Sequence, residues 1–236
     1  MTRDSLCRST GLLALLLVLA LTSCSKGANS GEESAGKNGP IPAELGAAES
    51  ASEDTIDLAL AGKRDRVVVT ANRLKDLANG PLIKKVRSAG AKEAVISDFK
   101  QSAARVAQLA PEADLLSVAI ESNHAYGDVT EFFALFASKV PADVSRLDHA
   151  DFEAKLRATA KQNLPLGDAV HSLAGTWTRL RPGFVKAGGS KVAPKFDAHV
   201  KRMERLLDTS DWNAIIHEAQ HGLDLVDELE DVYRRS

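Results

Sequence analysis

The sequence predicts an all-α fold, an antiparallel bundle of six or seven helices behind a flexible N-terminal tether. Three observations carry that expectation. From about residue 53 onward apolar residues recur at helical spacing, and no run alternates with the two-residue period of a strand. Ala, Leu, Lys, Glu and Arg dominate, and aromatic residues make up only 5% of the 236-residue chain, which favours helix over sheet. Gly and Pro separate the periodic segments with short connections, which sets neighbouring helices antiparallel.

The N-terminus has the three-part layout of an export signal. Residues 1–10 are polar, with Arg3 and Arg8 outweighing Asp4; GLLALLLVLAL follows over 11–21, then the small polar pair Thr22-Ser23. The apolar run is shorter than the roughly 20 residues that span a bilayer. Its close, Leu21-Thr22-Ser23-Cys24, resembles the lipobox of bacterial lipoproteins. That resemblance implies a signal peptide over 1–23 and acylation of Cys24, by palmitate among other chains, which anchors the protein in a lipid bilayer. With Ser25 rather than Asp after the cysteine, it implies the cell envelope and an outer membrane facing the periplasm. The other cysteine, Cys7, leaves with the signal, so the mature domain depends on its own core rather than on disulfides.

Residues 24–52 are rich in Gly, Ser, Ala and Glu and read as a disordered tether, too poor in large apolar groups to offset chain entropy. As a random coil it reaches on the order of 30 Å. Residues 53–236 form the helical bundle domain. Its first helix is expected from about Glu53 to Leu77, ended by Asn79-Gly80-Pro81, with Val67-Val68-Val69 inside the helical pattern. A short apolar piece, Leu82 to Val86, leads to a helix from about Lys92 to Leu109. Pro111 suits the first turn of the next helix, which runs to about Tyr126 and continues from Asp128 to Lys139. Pro141 ends it. Asp148 is read as the N-cap of a helix to about Gln162, and Pro165 opens another to about Arg181, with Leu166, Val170, Leu173, Trp177 and Leu180 in its apolar stripe. After Gly188-Gly189 come a helix marked by Phe196, Val200, Met203 and Leu207 and a last one from Ser210 or Asp211 to Tyr233. Shifted by 97 positions, Phe99 falls on Phe196, Arg105 on Arg202, Asp114 on Asp211, Glu121 on Glu218 and His124 on His221, as two related hairpins or chance would produce.

The sharpest chemical motif is His217-Glu218-Ala219-Gln220-His221. On a helix its histidines stand one turn apart, able to hold zinc, with the glutamate as general base. It resembles the zinc-binding helix of the zincin metalloproteases, which implies a zinc-dependent hydrolase with Glu218 catalytic. Asp227 falls at a third-ligand position, although position 224, a turning glycine in one such pattern, is Asp. A looser reading has His217, His221, Asp224 and Glu228 bind a divalent transition metal. In helical projection these four lie together opposite the face of Trp212, Ile215, Ala219, Leu223, Val226, Leu229 and Tyr233, as on an ordinary exposed polar face. A further alternative pairs Glu121-x-x-His124 with Glu218-x-x-His221. That resembles the di-iron site of ferritin-like bundles and implies two more carboxylates, for which Glu93 and Glu153 are the available choices.

The remaining candidates read as structure. Met203 and a histidine could ligate a haem, but Met203 lies on its helix's apolar stripe, which His199 flanks; His149 and His171 read as surface or helix-end histidines, and Trp177 and Trp212 as core. No cysteine nucleophile, phosphate loop or G-x-S-x-G occurs. Loss of two arginines and one aspartate with the signal takes the net charge from −2 to −3, which gives no case for nucleic acid. The expectation is a non-enzymatic helical module, without cofactor, that binds an envelope protein or ligand or serves as structure; the zinc hydrolase and the di-iron-like bundle are the alternatives.

Overall fold

The computed structural model describes residues 38–209 and 211–236. The expected signal peptide over 1–23, the expected acylation site Cys24, residues 25–37 of the expected tether and Ser210 lie outside them. The tether expected to reach residue 52 stops short of it, because helix α1 spans Ala43–Leu60. Ala, Glu and Leu, the composition that looked unstructured, are strong helix formers. Leu45, Ala48, Ala51 and Ser52 are fully buried. A stripe of such small residues lets helices approach closely without looking hydrophobic.

The single helix expected over 53–77 is two. The chain turns at Gly62, whose φ of 72° suits a glycine, and α2 follows over Arg64–Asn79 with all three valines helical. Gly80-Pro81 breaks it as expected, and Pro81 opens α3 (Pro81–Ser88). Helix α4 is Glu93–Leu109 and α5 Leu115–Phe133. Asp114, not Pro111, starts α5, its carboxylate accepting from the Ser117 N–H at 3.0 Å. Nor does α5 break near Tyr126; it continues through Gly127, where a Cβ would stand 2.9 Å from His149 Nε2.

Pro141 is the N-cap of α6 (Ala142–Thr159), so Asp148 is a mid-helix residue rather than a cap. Helix α7 (Asn163–Lys186) passes the expected end at Arg181 and absorbs Pro182. Gly188, at φ 100°, turns the chain into a 3-10 turn, Gly189–Lys191. Helix α8 spans Ala193–Leu207, and α9, Trp212–Arg235, is capped by Asp211, which accepts from the Ala214 N–H at 3.1 Å. Two short strands unforeseen in the sequence, β1 (Asn38–Pro40) and β2 (Phe136–Ala137), pair in parallel just before α1 and α6. The described residues thus hold nine α-helices, more than the six or seven expected, in an all-α bundle.

Eight of the nine helices fall into two halves packed alike, with α3 as an addition to the first. Helix α1 packs on α2 and α5, α2 on α4, and α4 on α5; likewise α6 packs on α7 and α9, α7 on α8, and α8 on α9. Pro42 and Pro141 cap α1 and α6, and Gly62 and Lys161, both at positive φ, make the next turn. Asp114 and Asp211 cap α5 and α9. The echo at a shift of 97 therefore falls on two hairpins with the same place in the fold, α4–α5 and α8–α9. Each half has its own core, one around Phe99 and Phe132, the other around Trp177, Phe184 and Phe196; α5 and α6 join the halves. Phe152, Leu156 and Leu223 cross over into the first core.

Candidate functional site

Helix α9 divides the zincin-like motif between water and core. His217, His221 and Asp224 are exposed, as the polar-face reading expects. Glu218 is not on that face. It is 5% exposed and turned toward α8, where its carboxylate accepts from His199 Nδ1 at 3.1 Å and Arg202 Nε at 2.9 Å. His199 Nε2 meets Asp151 Oδ1 at 3.0 Å, so α6, α8 and α9 are tied through one buried imidazole. A carboxylate on each nitrogen favours the doubly protonated, cationic ring. Burial opposes that charge, but Asp151 and Glu218 outweigh it and raise the His199 pKa. Asp151, fully buried, is itself pushed up by burial despite the imidazolium. Gly222 makes the room: a Cβ there would run into Asp151 and His199.

The other candidate ligands are dispersed. Glu121 pairs with Arg105 at 3.4 Å, the counterpart of Arg202–Glu218 in the other half, and stands 3.8 Å from His124. Glu93 binds Arg87, and Glu153 accepts from Arg157 at 2.6 Å and Asn123 at 2.7 Å. Glu228 binds Lys195 at 2.7 Å, and Asp227 is exposed. Among the described residues, no three His, Cys, Asp or Glu side chains converge as a metal-binding group. Met203 is core, and both nitrogens of His199, beside the same stripe, are committed to carboxylates. His149 departs from the surface reading: it packs edge-on against Tyr126, and burial lowers its pKa. His171 is exposed, its Nδ1 2.8 Å from the Gly167 carbonyl. Trp177 is core, while Trp212 is only half-buried.

The concave site that sequence reasoning missed lies where the two halves meet. It is a pocket of about 360 Å³ walled by α1, α5, α6 and α9. Glu49, Glu53 and Asp57 enter from α1, Asp148 from α6, and Asp224, Asp227 and Glu230 from α9. Arg234, the one cation of the lining, is paired with Glu230. Tyr126 contributes its buried hydroxyl, which offsets part of the cost of charge at Glu53 and Asp148. Phe152, Leu223 and Val226 supply an apolar wall. Burial, reinforced by neighbouring carboxylates, raises Glu49 to about 8 and Glu53 to about 7, and lifts Asp148 well above the usual range. Asp57 and Glu230 are raised by burial too. Ser145 softens the cost at Glu49, donating to its Oε1 at 3.3 Å. The Oδ2 of Asp148 is buried with no hydrogen-bond partner.

The available signal for this pocket was period rather than motif. Glu49, Glu53 and Asp57 recur every four residues along one face of α1, but read as tether and helix surface they had no neighbour to face. Compared with family models, curated proteins and solved structures, the chain matches none.

Proposed function

We propose that the chain is a lipid-anchored protein of the bacterial cell envelope, held by acylated Cys24, and that its paired helical bundles act as a non-catalytic binding module. Leu21-Thr22-Ser23-Cys24 after an eleven-residue apolar run supports the anchor. The single observation that carries the binding reading is the pocket between the halves. Seven carboxylates face one paired arginine there, an arrangement that strains the fold and brings a charge complement for a ligand. The buried residues of the zincin-like motif serve packing: Glu218 is engaged by His199 and Arg202.

The anchor is tested by expressing the full chain in a diderm bacterium and weighing the N-terminal peptide of the membrane fraction. The expected result is a chain beginning at an acylated Cys24, with Cys24→Ala released from the membrane. An unmodified N-terminus in a soluble fraction overturns it. Elemental analysis of the same preparation tests the hydrolase alternative: one zinc per chain that is lost in His217→Ala/His221→Ala would replace the non-catalytic reading.

A further inference from the structure

The pocket between the halves has chemistry that selects a ligand class. Its carboxylates come from three helices and do not converge on one point. A compact metal ion needs several oxygens at one centre, whereas charge spread along a cleft suits a ligand whose own charges are separated. Phe152, Leu223, Val226 and Tyr126 line the pocket together with the acids. Such a wall offers methylenes a dry surface and offers an ammonium an aromatic face. The volume, about 360 Å³, lies at the small end of ligand sites. A second observation points inward independently of the charge count: Asp148 Oδ2 is buried at the pocket with no donor, and a buried acceptor without a donor is costly.

We propose that this pocket binds an aliphatic ammonium ligand, two or more protonated amines joined by methylenes, with one nitrogen between Glu53 and Asp148 and the other toward Asp227 and Glu230. The proposal rests on reading the chain as a binding module and names its ligand class. The same chemistry is offered by a free polyamine and by lysine side chains of a peptide, and the test separates them.

The test is titration calorimetry on the full chain in detergent, with spermidine, putrescine, an acetylated lysine-rich peptide and magnesium chloride as probes. Saturable binding of spermidine at one site per chain is expected, weakened at least tenfold in Glu53→Gln/Asp148→Asn. These isosteric changes remove repelling charges, so the variant keeps its fold, which circular dichroism verifies. A peptide that binds more tightly than spermidine, with the same loss in the variant, assigns the amine to a protein source. Absence of saturable amine binding, equal binding by the variant, or magnesium binding as tight as spermidine overturns the proposal. Acylation of Cys24 is read by mass on the same sample, so a negative titration counts against the pocket and not against the anchor.

Discussion

The Nε2 of His199 lies 2.5 Å from where a Cβ on Gly222 would stand, with Asp151 Oδ2 closer still. The absent side chain on α9 is what allows α8 to place an imidazolium between two carboxylates. Gly222→Ala is therefore expected to destabilise the protein by about 1–3 kcal/mol through overpacking. Gly167→Ala, in α7 with nothing within 4 Å of the added methyl, is expected to stabilise by about 0.5–1 kcal/mol. Urea denaturation of both variants measures the contrast; equal effects would show that the close approach is not the cause.

His199 is the charge that lets Asp151 and Glu218 remain buried. Removing it leaves Asp151 buried without a counter-charge, while Glu218 keeps Arg202, so His199→Ala is expected to cost about 3–5 kcal/mol. His217→Ala/His221→Ala, on exposed positions, should change stability by less than about 0.5 kcal/mol. Equilibrium unfolding of the two proteins side by side checks which histidines of this region matter to the fold.

Stability should fall as pH rises from 5 to 8.5. Glu49 and Glu53 have folded-state pKa values of about 8 and 7, above the usual carboxylate value. A raised carboxylate contributes its full stability below its unfolded pKa, and that contribution is lost as pH climbs through the folded value. Asp148 and His199, also raised, act in the same direction. His149, lowered by burial, opposes them around its ordinary value. A thermal melt series should show the midpoint several degrees higher at pH 5.5 than at 8.5, at about 2–4 °C per kcal/mol for a domain of this size. Glu53→Gln should flatten the slope, and a midpoint that rises with pH would contradict the assignment.

The two halves make a paired prediction. Asp114 and Asp211 cap α5 and α9 by the same bond, so Asp→Ala at either should cost about 1 kcal/mol. The turns after α1 and α6 are alike except in residue: Gly62 has φ 72° and Lys161 φ 55°. A left-handed conformation costs a side-chain-bearing residue about 1 kcal/mol. Lys161→Gly is therefore expected to be neutral to stabilising, and Gly62→Ala destabilising, in the same melts.

The amino-acid sequence by itself determined the helical class, several helix ends and the polar exposure of His217 and His221. Those features depend on local propensity, on breakers such as Gly80-Pro81 and Gly188, and on the period of apolar residues along one helix. The Asp114 and Asp211 pair was also legible, as part of the echo at 97 positions. Tertiary structure decided what is helix over 43–52, because the small residues Ala48 and Ala51, with Leu45, are buried only once α1 packs on α2 and α5. It also decided that Glu218 faces inward: a projection ranks residues by polarity, and a glutamate with His199 and Arg202 waiting on the neighbouring helix is more stable buried than its polarity implies. The pocket belongs to the same class of fact. Glu49, Glu53 and Asp57 of α1 and Asp148 of α6 are far apart in the chain, and their raised pKa values arise from burial against one another across the junction of the two halves.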